Sequence, residues 1–378
     1  MAIGNLRQLH IIRGLAALYV AVGHAKVVFW SGGQEYLKAH PISSWSILDY
    51  ISFGIDMMSS VAQEFVIVFF VLSGFFIAFS FEKNQWKTKE FILNRLVRIS
   101  PPYLASVLLS IAVFLFIGQV FPEVFTLDSS KPIIKRMSQS YQELNAEAFL
   151  LSLLYLPKED FIAGNLAYWS LLPEWIYYLI VPLLLIKRRI ALLFFSLAFF
   201  ANLIADWQFE NHLLRFVFYY GFYFFFGMEV YTWITQKNWK KWLPKRWLSY
   251  SICLLLMLAT ILLGAIPEGK IGRFDSASLL FAAAFSVWSM MRLLKYPLSG
   301  RLYQLGVFLG DISYSLYVFH LPIYYLIYAF CIHYFETELY YDRIYWLMLP
   351  IAIFGSYLAY QLIEKRSLQY IKKLKSKR

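Results

Sequence analysis

Charge is scarce in this chain, and negative charge scarcest. Asp, Glu, Lys and Arg make up only 15% of its 378 residues, with 23 acidic against 35 basic side chains. Together with 60% hydrophobic residues and a mean hydropathy of +0.56, this excludes the ordinary soluble globular class. Cysteine occurs twice, at Cys253 and Cys331, each inside an apolar run, so no disulfide framework is expected. The sequence has no Gly-x-Ser-x-Gly nucleophile elbow, no Walker-type phosphate loop, no His-Glu-x-x-His pair and no clustered Cys/His set. Covalent serine chemistry and zinc chemistry are therefore unsupported, and no metal ligand is assigned. Internal repeats and low-complexity segments are also missing, so the symmetry that marks many transporters lends no support here.

What the chain does have is a succession of long apolar runs. Ten of about 17 to 24 residues are long enough to cross a hydrocarbon core as helices. They run from Ile11 to Trp30, Val61 to Phe81, Tyr103 to Phe121, Trp169 to Ile186, Ile190 to Asp206, Leu213 to Trp233, Trp247 to Ile266, Ala277 to Leu294, Asp311 to Tyr334 and Tyr345 to Ile363. The expected architecture is an all-α, polytopic helical bundle: one membrane domain over residues 1–364 and a basic tail over 365–378. With the N-terminus inside, about 25 of the 35 Lys and Arg fall in inner segments, which predicts that both termini are cytoplasmic. The net charge of +12 lies between apolar runs, so the lipid bilayer, not nucleic acid, is the expected partner. The first span lacks a small-residue cleavage site and reads as retained. Two long outer segments, Ser31 to Ser60 and Pro122 to Tyr168, separate early spans, and the apolar stretch Phe149 to Leu156 predicts a short interfacial helix. The tail is expected to lie on anionic headgroups.

Ionisable groups inside spans cost several kcal/mol unless paired or set against a wet cavity, so each is a functional candidate. Arg13 and His24 stand eleven residues apart on the first span. At about 100° and 1.5 Å per residue they share one helix face roughly 16 Å apart. A base and an anion-binding cation fit that arrangement; a structural histidine and a snorkelling arginine are the plain alternatives. Arg95 and Arg98, at i and i+3 just before an expected helix start at Pro101, suit a phosphate or pyrophosphate, or serve only as positive-inside charge. Ser73 and Gly74 are read as a close helix approach. Glu174, early in the fourth span, is placed to orient His24, to meet a hydroxyl substrate, or to make a structural hydrogen bond. Glu64, Glu229, Asp311, His320 and His333 are further intramembrane candidates, and Ser313 to His320 gathers several polar groups on one helix.

Five ordered motifs, RGLAALYVAVGH, FFVLSGF, RLVRISPPY, WSLLPEWIYY and ISYSLYVFHLPI, together resemble the acyltransferase 3 family from about Leu6 to Glu364. Members are multi-span membrane enzymes that O-acetylate surface glycans such as lipopolysaccharide, exopolysaccharide and Nod-factor-like molecules. The resemblance implies an acyl-CoA donor, acetyl-CoA foremost, entering from the cytoplasm with its phosphates near Arg13, Arg95 and Arg98. His24 would act as general base or transient acyl carrier, with Glu174 as its catalytic partner. The acceptor would be a hydroxyl of a glycan or lipid-linked glycan, contacted by Trp169, Tyr178 and His320, in a bacterial inner membrane. Two departures stand out: the acidic residue that often precedes FFVLSGF is absent from Val66 to Phe69, and a common Glu-Glu is here Glu174-Trp175. No segment matches the extracytoplasmic hydrolase-like domain of some relatives, so transfer by the membrane unit alone is expected. The rival readings are a transporter or flippase using His24 and Glu174 in a proton or anion path, and a non-catalytic scaffold.

Overall fold

A computed structural model of the protein describes residues 3–29, 41–83, 87–129, 131–156, 164–184, 187–205, 212–236, 238–264, 275–335 and 344–376. The expected span ends at Trp30, Ile186, Asp206 and Ile266 lie outside them. Every regular element among the described residues is helical. The α-helices of two turns or more, in chain order, are α1 (Ile3–Phe29), α2 (Ile47–Met58), α3 (Ala62–Lys83), α4 (Thr88–Val120), α5 (Pro132–Gln142), α6 (Ala146–Leu153), α7 (Leu171–Leu184), α8 (Arg188–Ala205), α9 (His212–Gln236), α10 (Arg246–Gly264), α11 (Asp275–Lys295), α12 (Gly300–Phe335), α13 (Ile344–Ala359) and α14 (Lys365–Ser376). Six of these, α1, α3, α4, α10, α11 and α12, are long and apolar enough to cross a membrane. Over its described residues each of the ten apolar runs overlaps a helix, the other four being α7, α8, α9 and α13.

Several expected boundaries move: α1 begins at Ile3 rather than Ile11, α12 at Gly300 rather than Asp311, and α4 changes most. Pro101 and Pro102 do not open a helix but lie inside α4, which begins thirteen residues earlier at Thr88 and so carries Arg95 and Arg98 within it. Proline's fixed φ is itself helical, and its cost is one lost backbone hydrogen bond and a clash with the preceding turn. Burial of Phe91 and Ile99 on the turns before the prolines holds the helix together through them. The short helix expected within Phe149 to Leu156 is α6, which begins three residues earlier and is started by Asn145, whose side chain accepts from the Ala148 N–H at 2.8 Å. Another short helix, α5, begins with Pro132 in its first turn, where the missing N–H would have had no partner.

The helices form two units. The first comprises residues 1–19, 60–95 and 173–313. Its centre is the pairing of α3 with α9, which approach closely because each offers glycine to the other. A Cβ at Gly74 would strike the Phe224 carbonyl, and one at Gly227 would strike the Val71 carbonyl. Aromatic rings fill the space around this contact: Phe70 stacks on Tyr220 at 5.5 Å and Phe195 on Phe225 at 4.6 Å.

The second unit comprises residues 20–59, 96–172 and 314–378. Its organising element is the later part of α12, where Pro322 leaves the Val318 carbonyl without its helical N–H. Two side chains replace that donor, Ser106 Oγ at 2.5 Å and Asn165 Nδ2 at 3.1 Å. The end of α1 is fixed just as firmly. Tyr324 donates to the Ala21 carbonyl at 3.1 Å, and the buried Lys131 ammonium donates to the Val28 carbonyl at 3.2 Å. Val28 lies in the last turn of α1, where carbonyls lack helical partners and cations are favoured. Between α13 and α14 the helix widens into a π turn, Tyr360–Glu364, and the buried Glu364 carboxylate accepts from the Ser315 N–H and hydroxyl at 3.2 and 2.6 Å.

Candidate active site

In the second unit the second turn from the end of α1 carries His24 against His320 of α12. His24 Nδ1 lies 2.7 Å from His320 Nε2, with the two rings stacked at 5.0 Å between centroids. His320 Nδ1 in turn lies 2.7 Å from the Leu316 carbonyl, one helical turn back on its own helix. His320 is fully buried, whereas His24 keeps part of its surface accessible. Around His320 stand the rings of Tyr324 at 5.7 Å and Tyr317 at 6.4 Å. Among the described residues no carboxylate or basic side chain bonds to either imidazole, and His24 Nε2 makes no hydrogen bond. The tyrosines are themselves anchored: Tyr317 shares a hydrogen bond with Ser170 at 2.7 Å, next to the half-buried Trp169. Tyr168, in the same turn, bonds Ser106 at 2.7 Å, so one polar strand of contacts joins this turn to the Val318 carbonyl.

A different cluster occupies the first unit. Ser73 Oγ donates to Glu174 Oε1 at 2.8 Å, and the buried Tyr178 hydroxyl donates to the same oxygen. The Arg95 guanidinium sits 5.5 Å from the ring centroids of both Tyr178 and Phe91. Four side chains from α3, α4 and α7 thereby form one group, in which Tyr178 is committed to Glu174 through its hydroxyl and to Arg95 through its ring. Of the remaining arginines, Arg13 is half-buried in the first unit, and Arg98 is half-buried in the second, where it makes no hydrogen bond or ion pair among the described residues.

The residues singled out from the sequence thus divide. His24 and His320 meet in the second unit, and Glu174, Tyr178 and Arg95 meet in the first. Glu174 takes Ser73 and Tyr178 as partners, which matches the structural hydrogen bond among its possible roles. Glu64 accepts from Ser278 at 2.7 Å, and His333 pairs with Glu123 at 2.8 Å where both side chains are exposed. The polar run from Ser313 to His320 does not act as one cluster, since Ser315, Tyr317 and His320 address Glu364, Ser170 and His24 respectively. Asn165, Ser106, Tyr324 and Lys131 were not anticipated. Pro322 was the available signal for the first two, because a proline inside a helix leaves a carbonyl that something must satisfy.

No group of three His, Cys, Asp or Glu among the described residues is placed to hold a metal ion. The chain matches no curated protein and no solved structure. The acyltransferase domain that defines the acyltransferase 3 family does match it, over residues 6–364, which takes in the paired histidines, the glutamate cluster and all five motifs. By that match over nearly its whole length the chain belongs to the acyltransferase 3 family, and it is a membrane acyltransferase.

Proposed function

We propose that the protein is an O-acyltransferase that moves an acyl group, acetyl foremost, from cytoplasmic acyl-CoA to a hydroxyl of a cell-surface glycan or its lipid-linked precursor. The observation that carries this reading is His24: an imidazole with one nitrogen engaged by His320, the other making no hydrogen bond, and part of its surface accessible. Such a nitrogen can accept the proton of an attacking hydroxyl as the C–O bond forms and the thioester C–S bond breaks, and the proton can then pass to the departing thiolate. The same nitrogen can instead carry the acyl group between two half-reactions. A positioned histidine base contributes about 10² to 10⁴ in rate.

Arg13, Arg95 and Arg98 are assigned to the phosphates of the donor on charge and spacing, guanidiniums being suited to bidentate phosphate binding. Arg98 fits that role through its lack of a protein partner. The half-buried Trp169 is assigned to a sugar acceptor, for which its indole is a stacking face. Ten spans with both termini in the cytoplasm of a bacterial inner membrane complete the proposal, supported by the ten helices on the apolar runs and by the inner bias of Lys and Arg.

The test is transfer itself. Protein in lipid nanodiscs, given acetyl-CoA labelled in the acetyl group and a crude surface-glycan fraction, is expected to place label in the glycan as an alkali-labile ester. Label that stays in intact acetyl-CoA would contradict the proposal and favour a transporter.

A further inference from the structure

We infer that His320 is a positioning residue that fixes the proton order of the histidine pair and makes Nε2 the reactive nitrogen of His24. The argument is one of donors and acceptors. The Leu316 carbonyl can only accept, so the 2.7 Å contact requires a proton on His320 Nδ1. A neutral imidazole protonated there presents a lone pair at Nε2. The 2.7 Å contact between the rings then requires His24 to donate from Nδ1, and its own lone pair stands on Nε2. Each proton position follows from the previous one, starting at a backbone atom of α12.

The rest of the second unit serves this chain of bonds. Tyr324 pins α1 at Ala21 and Lys131 pins it at Val28, on either side of His24, so the contact with His320 is held from both directions. Full burial of His320 keeps water from supplying a competing donor or acceptor. His320 takes the place that a carboxylate holds in many base-orienting pairs, without bringing a charge. When His24 Nε2 takes the proton of the acceptor hydroxyl, the resulting imidazolium is stabilised by the His320 lone pair through the existing Nδ1–H bond. The proton is later released from Nε2 to the leaving sulfur, and the pair returns to its starting order. His320 therefore acts through His24 and does not contact substrate for this purpose.

Two measurements test this, and only the second rests on the acyl-transfer reading. ¹⁵N spectra of histidine-labelled protein in nanodiscs, with the His24 signal identified by its loss in His24→Gln, should show His24 in its Nδ1–H form. In His320→Leu the signal should move toward a mixture of tautomers, and in His320→Gln, whose amide oxygen can still accept, it should stay. Thiol release from acetyl-CoA should fall about 10- to 100-fold in turnover for His320→Leu at unchanged KM for acetyl-CoA, with most of the loss recovered in His320→Gln. An Nε2–H form of His24 in the unaltered protein, or equal turnover in His320→Leu and the unaltered protein, would overturn the inference. If His320→Leu does not insert as a folded protein, the spectrum of the unaltered protein and the His320→Gln kinetics decide the matter. Absence of thiol release from the unaltered protein would instead count against the acyl-transfer reading, and the spectra would still judge the proton order.

Discussion

The two units hold two polar clusters of opposite character. The glutamate of the first unit is saturated on one oxygen by two hydroxyls, with Arg95 resting on the ring of one donor. The histidine pair of the second has no charged partner among the described residues, and its bonds run in one direction from a carbonyl to a nitrogen left open. Glu174 Oε1 ties α7 to α3 through Ser73, while Glu174 Oε2 and His24 Nε2 each make no hydrogen bond among the described residues. What separates them in the proposed reaction is chemistry: an imidazole can take a proton near neutral pH, so His24 is the residue proposed to react and Glu174 is read as an anchor of α7 against α3.

The sharpest contrast should come from truncating each cluster. His24→Ala is expected to lower turnover about 10² to 10⁴-fold with thermal stability little changed, because a half-buried base is lost without opening a core cavity. Gly74→Val should act in the opposite sense: its Cβ meets the α9 backbone, so a loss of about 1–3 kcal/mol in stability is expected, read as a lower unfolding temperature in detergent. Within the second unit, Asn165→Ala together with Ser106→Ala leaves the Val318 carbonyl buried without a donor, a penalty of about 1–3 kcal/mol that the same thermal assay would detect. Glu174→Gln keeps an oxygen that can accept from Ser73 and Tyr178, and turnover should change by less than about tenfold, near 1.4 kcal/mol. A loss as large as that of His24→Ala would erase the distinction between the clusters.

The smallest effect is expected at the surface pair. Hydrogen bonding to His333 holds the Glu123 carboxyl below the ordinary carboxylate range. A depressed value means that the stabilisation is complete above the ordinary carboxylate pKa and fades as pH falls through the lowered one. Both side chains are exposed, so Glu123→Gln should cost no more than the roughly 0.2–1 kcal/mol of surface pairs, and the difference from the unaltered protein should vanish in acid.

Much of this was legible in the sequence, for reasons that differ by residue. Apolar runs report helices directly, and over its described residues each of the ten overlaps a helix. Their ends were less clear. Pro101 reads as a helix start by its usual position, yet packing of Phe91 and Ile99 carries α4 through it. His24 was visible because an imidazole in an apolar run demands an explanation. Its partner was visible only as one of several polar residues on α12, since spacing along that helix does not say which neighbour each side chain meets. His320 points to His24, while Ser315 points to Glu364. Glu174 leaves several roles open in the sequence, and its observed partners are Tyr178 and Ser73, the latter read from the sequence as a small-residue contact. The acceptor glycan leaves no comparable trace, because stacking aromatics suit many sugars.

One measurement bears most directly on the central claim: free thiol released from acetyl-CoA by nanodisc-embedded protein in the presence of surface glycan, for the unaltered chain and His24→Ala side by side. Release by the unaltered chain, reduced at least about 100-fold in the variant, is the predicted result. Equal release from both would remove His24 from the centre of the reaction.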